Sequence, residues 1–192
     1  VIKGKISYYG FLSTGNLNES TARIYVDTCL LTSNKKMLRD AEYIFEFLAG
    51  PEQHQKSLLK CKTLLLSPVN MREAFLKLIE QEIKNAKRKK TAEIIIKLNS
   101  LVDRTLINKL YEAAHFGVKV QLIIRGICCA VTRNSKFRTP ISAISIVDRY
   151  LEHSRVFYFY NNNNPKVYVS SADWMVRNLD HRVETAFEIE NA

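Results

Sequence analysis

Three short stretches of the chain carry the side chains best suited to act on an anionic centre. His153 and Arg155 form an H-x-R pair at the head of the apolar run Val156–Phe159. An imidazole there can move a proton or attack an electrophile, while a guanidinium steadies anionic oxygens. A histidine ahead of an apolar strand also serves as a packed core group, and spacing alone leaves both readings open. Arg125 ends the run "QLII" and precedes Gly126. A guanidinium at the end of an apolar strand is costly unless it meets an anion. Bidentate donation to phosphate is one use of that position, and a salt bridge to a neighbouring carboxylate is the other. Asn99-Ser100 after "EIIIKL" and Ser170-Ser171-Ala172-Asp173 after "KVYV" add polar groups at further strand ends. Trp174 and Arg177, in "DWMVRN", suit either a lid over a site or a packed corner.

Such residues need a sheet to hold them. In open α/β sheets, ligands sit beyond the carboxyl ends of the strands. The segments "LLKCKTLLLSP", "EIIIKL" and "VKVQLIIRG" read as strands, with "EIIIKL" (93–98) apolar enough to be buried on both faces. Between them lie two helices. The first has Asn70 as N-cap and Glu73 as its capping-box partner, with Ala74, Leu78, Ile79 and Ile83 facing inward. The second is capped by Asp103, buries Leu106, Ile107, Leu110 and Ala114, and ends at Gly117. Strand, helix, strand, helix, strand predicts right-handed βαβ units. "ISAISIV", "RVFYFY", "KVYVSS" and "VETAFEI" predict more strands, with "NNNN" (161–164) as a turn.

Upstream, "IKGKISYYGFL" (2–12) reads as a strand leading to a turn in which Gly15 can take a positive φ. "RIYVDTCLL" reads as extended. Residues 36–49 form a helix with Leu38, Ala41, Ile44, Phe45 and Leu48 on one face, stopped by Gly50-Pro51. "PEQHQKS" is then a linker, and the chain divides near residue 60.

Lys and Arg number 29 against 19 Asp and Glu, a net charge of +10 that favours anionic partners. The densest run, "KNAKRKK" (84–90), fits solvated cations at a helix C-terminus. There is no recognition-helix signature and no interleaved aromatic platform, so nucleic acid is not the expected partner. No apolar run approaches the roughly 18–20 residues of a membrane span. Four cysteines without CxxC spacing fit a reducing, cytoplasmic setting, with a peripheral place at the inner membrane as the variant. Adjacent Cys128 and Cys129 are expected as buried thiols. The scattered His54, His115, His153 and His181 argue against zinc.

The H-x-R pair and the later "SSAD" are similar to the H-x-K and Ser-polar elements of phospholipase D-type phosphodiesterases. Taken together, a longer set of motifs resembles one family. "STGNLNESTARIYVD", "KLNSLVD", "LIIRGICC", "SIVDRYLEHSRVFYF" and "VYVSSADWMVRNLDHRVE" look like the C-terminal part of bacterial polyphosphate kinases of the histidine-phosphorylating type. The resemblance runs along nearly the whole chain. It implies an α/β fold, a phospholipase D-like mixed sheet flanked by helices. Residues 61–192 would be one complete domain, and residues 1–60 the end of a preceding similar domain. It implies reversible transfer of the terminal phosphate of ATP to polyphosphate. It also assigns Tyr25, Arg125 and His153 to the ATP and phosphate site, with His153 as a second histidine opposite the phosphorylated one. The phosphohistidine and the arginines used with Mg²⁺ are expected upstream of Val1, so the chain alone is expected to be inactive. A homo-oligomer is implied for the full-length protein. Phe11 stands where many members have histidine. The alternative function is a phospholipase D-type phosphodiesterase or phosphatidyl transferase, against which stands Arg155 in place of Lys.

Overall fold

A computed structural model describes residues 6–190. In chain order it runs β1 (Gly10–Ser13), α1 (Glu19–Ala22), β2 (Tyr25–Val26), β3 (Cys29–Thr32), α2 (Lys35–Ala49), α3 (Pro51–His54) and a 3₁₀ segment (Gln55–Lys60). Then follow β4 (Leu65–Ser67), α4 (Met71–Lys87), β5 (Glu93–Leu98), α5 (Arg104–His115), β6 (Lys119–Ile124) and β7 (Ser142–Ile144). The last elements are β8 (Leu151–Glu152), β9 (Arg155–Phe159), β10 (Lys166–Ser170), α6 (Val176–Asp180) and β11 (Glu184–Glu188).

The expected mixed sheet flanked by helices is present. Seven strands lie in the order β4-β11-β10-β9-β5-β6-β7. β5, β6 and β7 are parallel, while β9 runs antiparallel to β5 and to β10. The βαβ reading holds for β5-α5-β6. In β4-α4-β5 the two strands are also parallel, but β4 lies at the sheet edge and α4 crosses over three strands to reach β5. β10 runs antiparallel to β9 and therefore with β5. The carboxyl ends of β5, β6 and β10 and the amino end of β9 thus share one end of the sheet.

Apolar periodicity explains the core. α4 buries Met71, Phe75, Ile79 and Ile83, and α5 buries Leu106, Ile107, Leu110 and Ala114 against the strands. Trp174 is fully buried, stacked on Phe157 with centroids 5.3 Å apart, so it packs a corner and covers no site. Gly117 at φ +91° ends α5, in the left-handed region that glycine enters without penalty.

Several local expectations are corrected. Asn70 does not cap α4 with its side chain; its Oδ1 instead accepts Leu66 N–H at 2.7 Å. Alternate residues of β5, Glu93, Ile95 and Lys97, are only half buried, and Lys97 reaches Ser154 O and Glu152 from that face. The face of α2 is rotated from the predicted one. Met37 and Asp40 are buried, while Phe45 and Leu48 are exposed. The cause is Asp40, whose Oδ2 accepts the backbone N–H groups of Lys62, Thr63 and Leu64 at 3.0, 2.6 and 2.9 Å. That carboxylate ties α2 to the entry of β4. "PEQHQKS" is helical and no open linker. The predicted 2–12 strand falls partly outside the described residues, and within them only Gly10–Ser13 is strand. "RIYVDTCLL" breaks into β2 and β3. Cys128 and Cys129 are exposed rather than buried, since they follow the end of β6 on the surface. No helix among the described residues is long and apolar enough to cross a membrane.

Candidate active site

His153 sits in the step between β8 and β9. β8 pairs in parallel with β2, setting Tyr25 opposite Leu151 and Val26 opposite Glu152. Two backbone bonds lock this ribbon, Leu151 N–H to Ile24 O at 2.9 Å and His153 N–H to Val26 O at 3.2 Å. Extended backbone from Tyr25 to Asp27, the residue just past β2, puts both side chains on one side. Both meet His153. The Tyr25 and His153 rings lie 4.6 Å apart at centroid, and His153 Nδ1 lies 2.8 Å from Asp27 Oδ1.

A carboxylate only accepts, and its 2.8 Å contact is shorter than the 3.3 Å approach of Arg155 Nη1 to the same nitrogen, so we assign the proton to Nδ1, hydrogen-bonded to Asp27. Nε2 is left with its lone pair, the arrangement that lets an imidazole act as proton acceptor or donor at a reacting oxygen. Burial pulls the His153 pKa below the ordinary histidine range, the nearby Arg155 charge adds to this, and Asp27 opposes both without outweighing them. The ring is therefore neutral near pH 7.

Asp27 is itself held. Thr14 Oγ1–H donates to its Oδ1 at 2.7 Å, and Thr14 N–H donates to Thr28 O at 3.1 Å. Gly15 has no positive φ here; its role is close approach. A Cβ on it would lie 2.0 Å from Asp27 Oδ2. Thr28 and Ser154 hydroxyls share a 2.9 Å hydrogen bond across the same seam.

Arg155 is not presented to a ligand. It is 6% exposed, donating through Nη1 to Thr14 O at 3.1 Å and through Nη2 to Asp173 Oδ2 at 2.9 Å. Asp173 Oδ1 in turn accepts the N–H groups of Asn99 and Ser100 at 2.8 and 3.0 Å. The "SSAD" segment thus serves as a brace beneath the histidine.

Arg125 is joined to this frame through Asn99. Arg125 Nε donates to Asn99 Oδ1 at 2.8 Å, and Asn99 Nδ2 donates to His153 O at 3.2 Å. Among the described residues Arg125 has no carboxylate partner, leaving its outer guanidinium nitrogens for an anion. It lines a cleft of about 340 Å³ with Ile24, Ile146, Val147 and Tyr150 and the charged Asp148, Arg149 and Glu152. Tyr25 and Asp27 line a different cleft of about 420 Å³, which also contains Phe11. The structure thus places Tyr25 against His153 and links Arg125 to His153 through one amide, while Tyr25 and Arg125 face separate clefts. Phe11 puts an exposed aromatic ring beside Tyr25. Asp27, Gly15 and the bridging role of Asn99 are additions to the predicted set. Asp27 was within reach, because it lies two residues past Tyr25 on the same side of the extended backbone. Among the described residues no group of three or more His, Cys, Asp or Glu could hold a metal.

Comparison with known proteins places these features. The family description "Polyphosphate kinase C-terminal domain 2" matches residues 64–192, and "Polyphosphate kinase C-terminal domain 1" matches residues 2–56. A polyphosphate kinase of an Exiguobacterium species (strain AT1b) is 44% identical over 98% of the chain, which spans 26% of that relative. One from Vibrio cholerae is 44% identical over 95% of the chain, again 26% of the relative. The solved polyphosphate kinase from Porphyromonas gingivalis overlays 96% of the chain and 28% of its own, at TM-score 0.87 and 43% identity. The chain spans about a quarter of the length of the curated relatives it matches.

Proposed function

This chain belongs to the polyphosphate kinase family, and from that premise we propose that His153, Tyr25 and Arg125 form part of an ATP and phosphate site. The reaction is reversible transfer of the ATP terminal phosphate to polyphosphate. The observation that supports it best is the Asp27–His153 pair, a neutral imidazole oriented by a carboxylate, joined through Asn99 to the Arg125 guanidinium.

In this reaction a histidine nitrogen bonds to the γ-phosphorus of ATP as the bond to the departing ADP oxygen breaks. The phosphoryl group then passes from nitrogen to the terminal oxygen of a polyphosphate chain. Phosphoryl transfer asks for position and charge neutralisation more than for covalent help. The attacking histidine is placed outside this chain, in keeping with the resemblance, together with the groups that hold Mg²⁺. The chain by itself is then expected to turn over no ATP. Within it, Arg125 takes non-bridging oxygens through its outer nitrogens. His153 Nε2 faces the reacting phosphate and moves a proton to or from a phosphate oxygen, while Asp27 keeps the tautomer. The Arg125 cleft, lined by Ile24, Ile146, Val147 and Tyr150 together with Asp148, Arg149 and Glu152, offers room for the rest of a nucleotide.

A phospholipase D-type phosphodiesterase would need the second cation of H-x-K to face substrate, and Arg155 is spent on Asp173 and Thr14. The test is His153→Ala in the natural-length protein. Loss of polyphosphate synthesis with an unchanged fold supports the assignment; wild-type rates remove His153 from the chemistry.

A further inference from the structure

The end of the sheet opposite His153 is strongly basic, and two separate chain segments build it. α4 ends there, with Lys84, Lys87, Arg88, Lys89 and Lys90 all exposed. The second segment, 133–138, brings exposed Arg133, Lys136 and Arg138 to the same place. The segments meet at the end of α5. Lys87 Nζ lies 4.0 Å over the Phe116 ring, His115 Nδ1 donates to Lys136 O at 2.7 Å, and Arg138 N–H donates to Ala114 O at 3.1 Å. The Asn161–Asn164 turn joins this end through Asn161 N–H, which donates to Glu82 Oε1 at 2.6 Å.

Cations at helix ends are ordinarily answered by the dipole, as "KNAKRKK" on its own suggests. That answer is too small here. The ends of α4 and α5 supply about half a negative charge each, against eight cations that form no salt bridge among the described residues. The nearby acids are engaged: Glu93 with Lys119, Glu80 and Glu112 with Lys109, and buried Glu82 with the backbone N–H groups of Glu93 and Asn161. Arg133, Lys136 and Arg138 come from a separate loop and add three more cations at the one α5 end. Lys89 also takes φ +59° just past the end of α4, where glycine would be the easier residue, so a cation occupies a place that local backbone physics does not favour.

Resting on the polyphosphate reading above, we propose that this face is a second binding surface for linear polyphosphate. It holds a stretch of the chain away from the end being extended. β5 has six residues, so the face lies about 20 Å from its carboxyl end at ~3.3 Å per residue. A polyanion long enough to touch both places gains from the second contact without any change at the first. The composition favours this occupant over others. Single-stranded nucleic acid would want exposed aromatic rings to stack on, and Phe116 is covered by Lys87. A lipid surface would want apolar side chains to insert, and none of the exposed large apolar residues lies in 84–90 or 133–138.

The test compares long-chain polyphosphate with tripolyphosphate by fluorescence-polarisation titration of the natural-length protein. The variant combines R88Q, K89Q and K90Q with R133Q, K136Q and R138Q. Expected is roughly tenfold or greater loss of affinity for the long chain. Tripolyphosphate affinity, initial rate with ATP and melting temperature should stay unchanged. A control carrying R88K, R133K and R138K should bind as wild type does, which separates lost charge from lost fold. Unchanged long-chain affinity in the Gln variant overturns the second surface while leaving the active-site assignment standing. If the wild-type protein neither binds nor makes polyphosphate, the assignment falls and the surface with it. Displacement of the long chain by single-stranded RNA or phosphatidylserine vesicles at lower charge concentration than by polyphosphate itself also overturns it.

Discussion

Asp27 and His153 lie 126 positions apart in the chain, yet their side chains share a 2.8 Å hydrogen bond that determines which imidazole nitrogen carries the proton. Asp27→Asn keeps the size and removes the charge. An amide can turn its NH₂ toward Nδ1 and strip the ring of its tautomer preference. Turnover by the natural-length protein should fall on the order of 100-fold. The His153 pKa should drop further, since the Asp27 charge now raises it. Kinetics and an NMR titration of His153 check both; a rate within a factor of about two of wild type would make Asp27 a bystander.

Gly15 carries the opposite kind of constraint. With Asp27 Oδ2 2.0 Å from where a Cβ would stand, Gly15→Ala must push the short Asp27 side chain aside. A stability loss of about 1–3 kcal/mol is expected from such overpacking. Turnover should fall as in Asp27→Asn, because the same hydrogen bond is broken. Denaturant unfolding with rate measurement checks it, and a fully active Gly15→Ala protein would contradict the geometry.

Asn99, only 4% exposed, holds Arg125 with its oxygen and the His153 carbonyl with its nitrogen. Asn99→Leu leaves both partners without it, at about 1–3 kcal/mol, and frees Arg125 from its fixed direction. ATP affinity should weaken along with stability. Arg125→Ala should weaken ATP binding by about 1.5–3 kcal/mol with little change in folding. Calorimetric titration with a non-hydrolysable ATP analogue separates the two, and equal affinity in Arg125→Ala would remove the guanidinium from the site.

The depressed His153 pKa has a definite sign for stability. The unfolded chain takes up a proton at about 6.5, whereas the folded chain holds His153 neutral to lower pH. Below that value the unfolded state binds more protons, so this contribution is intact above pH ~6.5 and is lost as pH falls toward the folded value. Urea midpoints measured from pH 7.5 down to 5.5 should fall more steeply for wild type than for His153→Gln. Parallel curves would place His153 in a more solvated setting than the structure does.

Periodicity and capping made the second half of the chain readable. The apolar spacing of Leu106, Ile107 and Leu110 with Asp103 as N-cap describes α5 as found, and the strand-like runs from residue 141 onward fall on β7, β9, β10 and β11. Polar side chains that bond far along the chain stayed hidden. Asp40 rotated α2 by claiming three N–H groups at the entry to β4, and Asn70 turned back to Leu66 instead of capping α4. The same applies at the site. His153, Arg125 and Tyr25 were visible from type and motif. The parallel pairing of β2 with β8, which brings Asp27 to His153, depends on a two-residue strand too short to leave a pattern. Arg155 seemed from sequence to be half of a working pair, and only its burial against Asp173 reveals a brace.

The central claim is that His153 and Arg125 face one phosphate group. A structure of the natural-length protein with a non-hydrolysable ATP analogue tests it directly. The account predicts a phosphate oxygen within about 3.2 Å of an outer Arg125 guanidinium nitrogen and another within that distance of His153 Nε2, with Asp27 still accepting from Nδ1. Phosphates bound elsewhere, with His153 Nε2 turned into apolar packing, would contradict it.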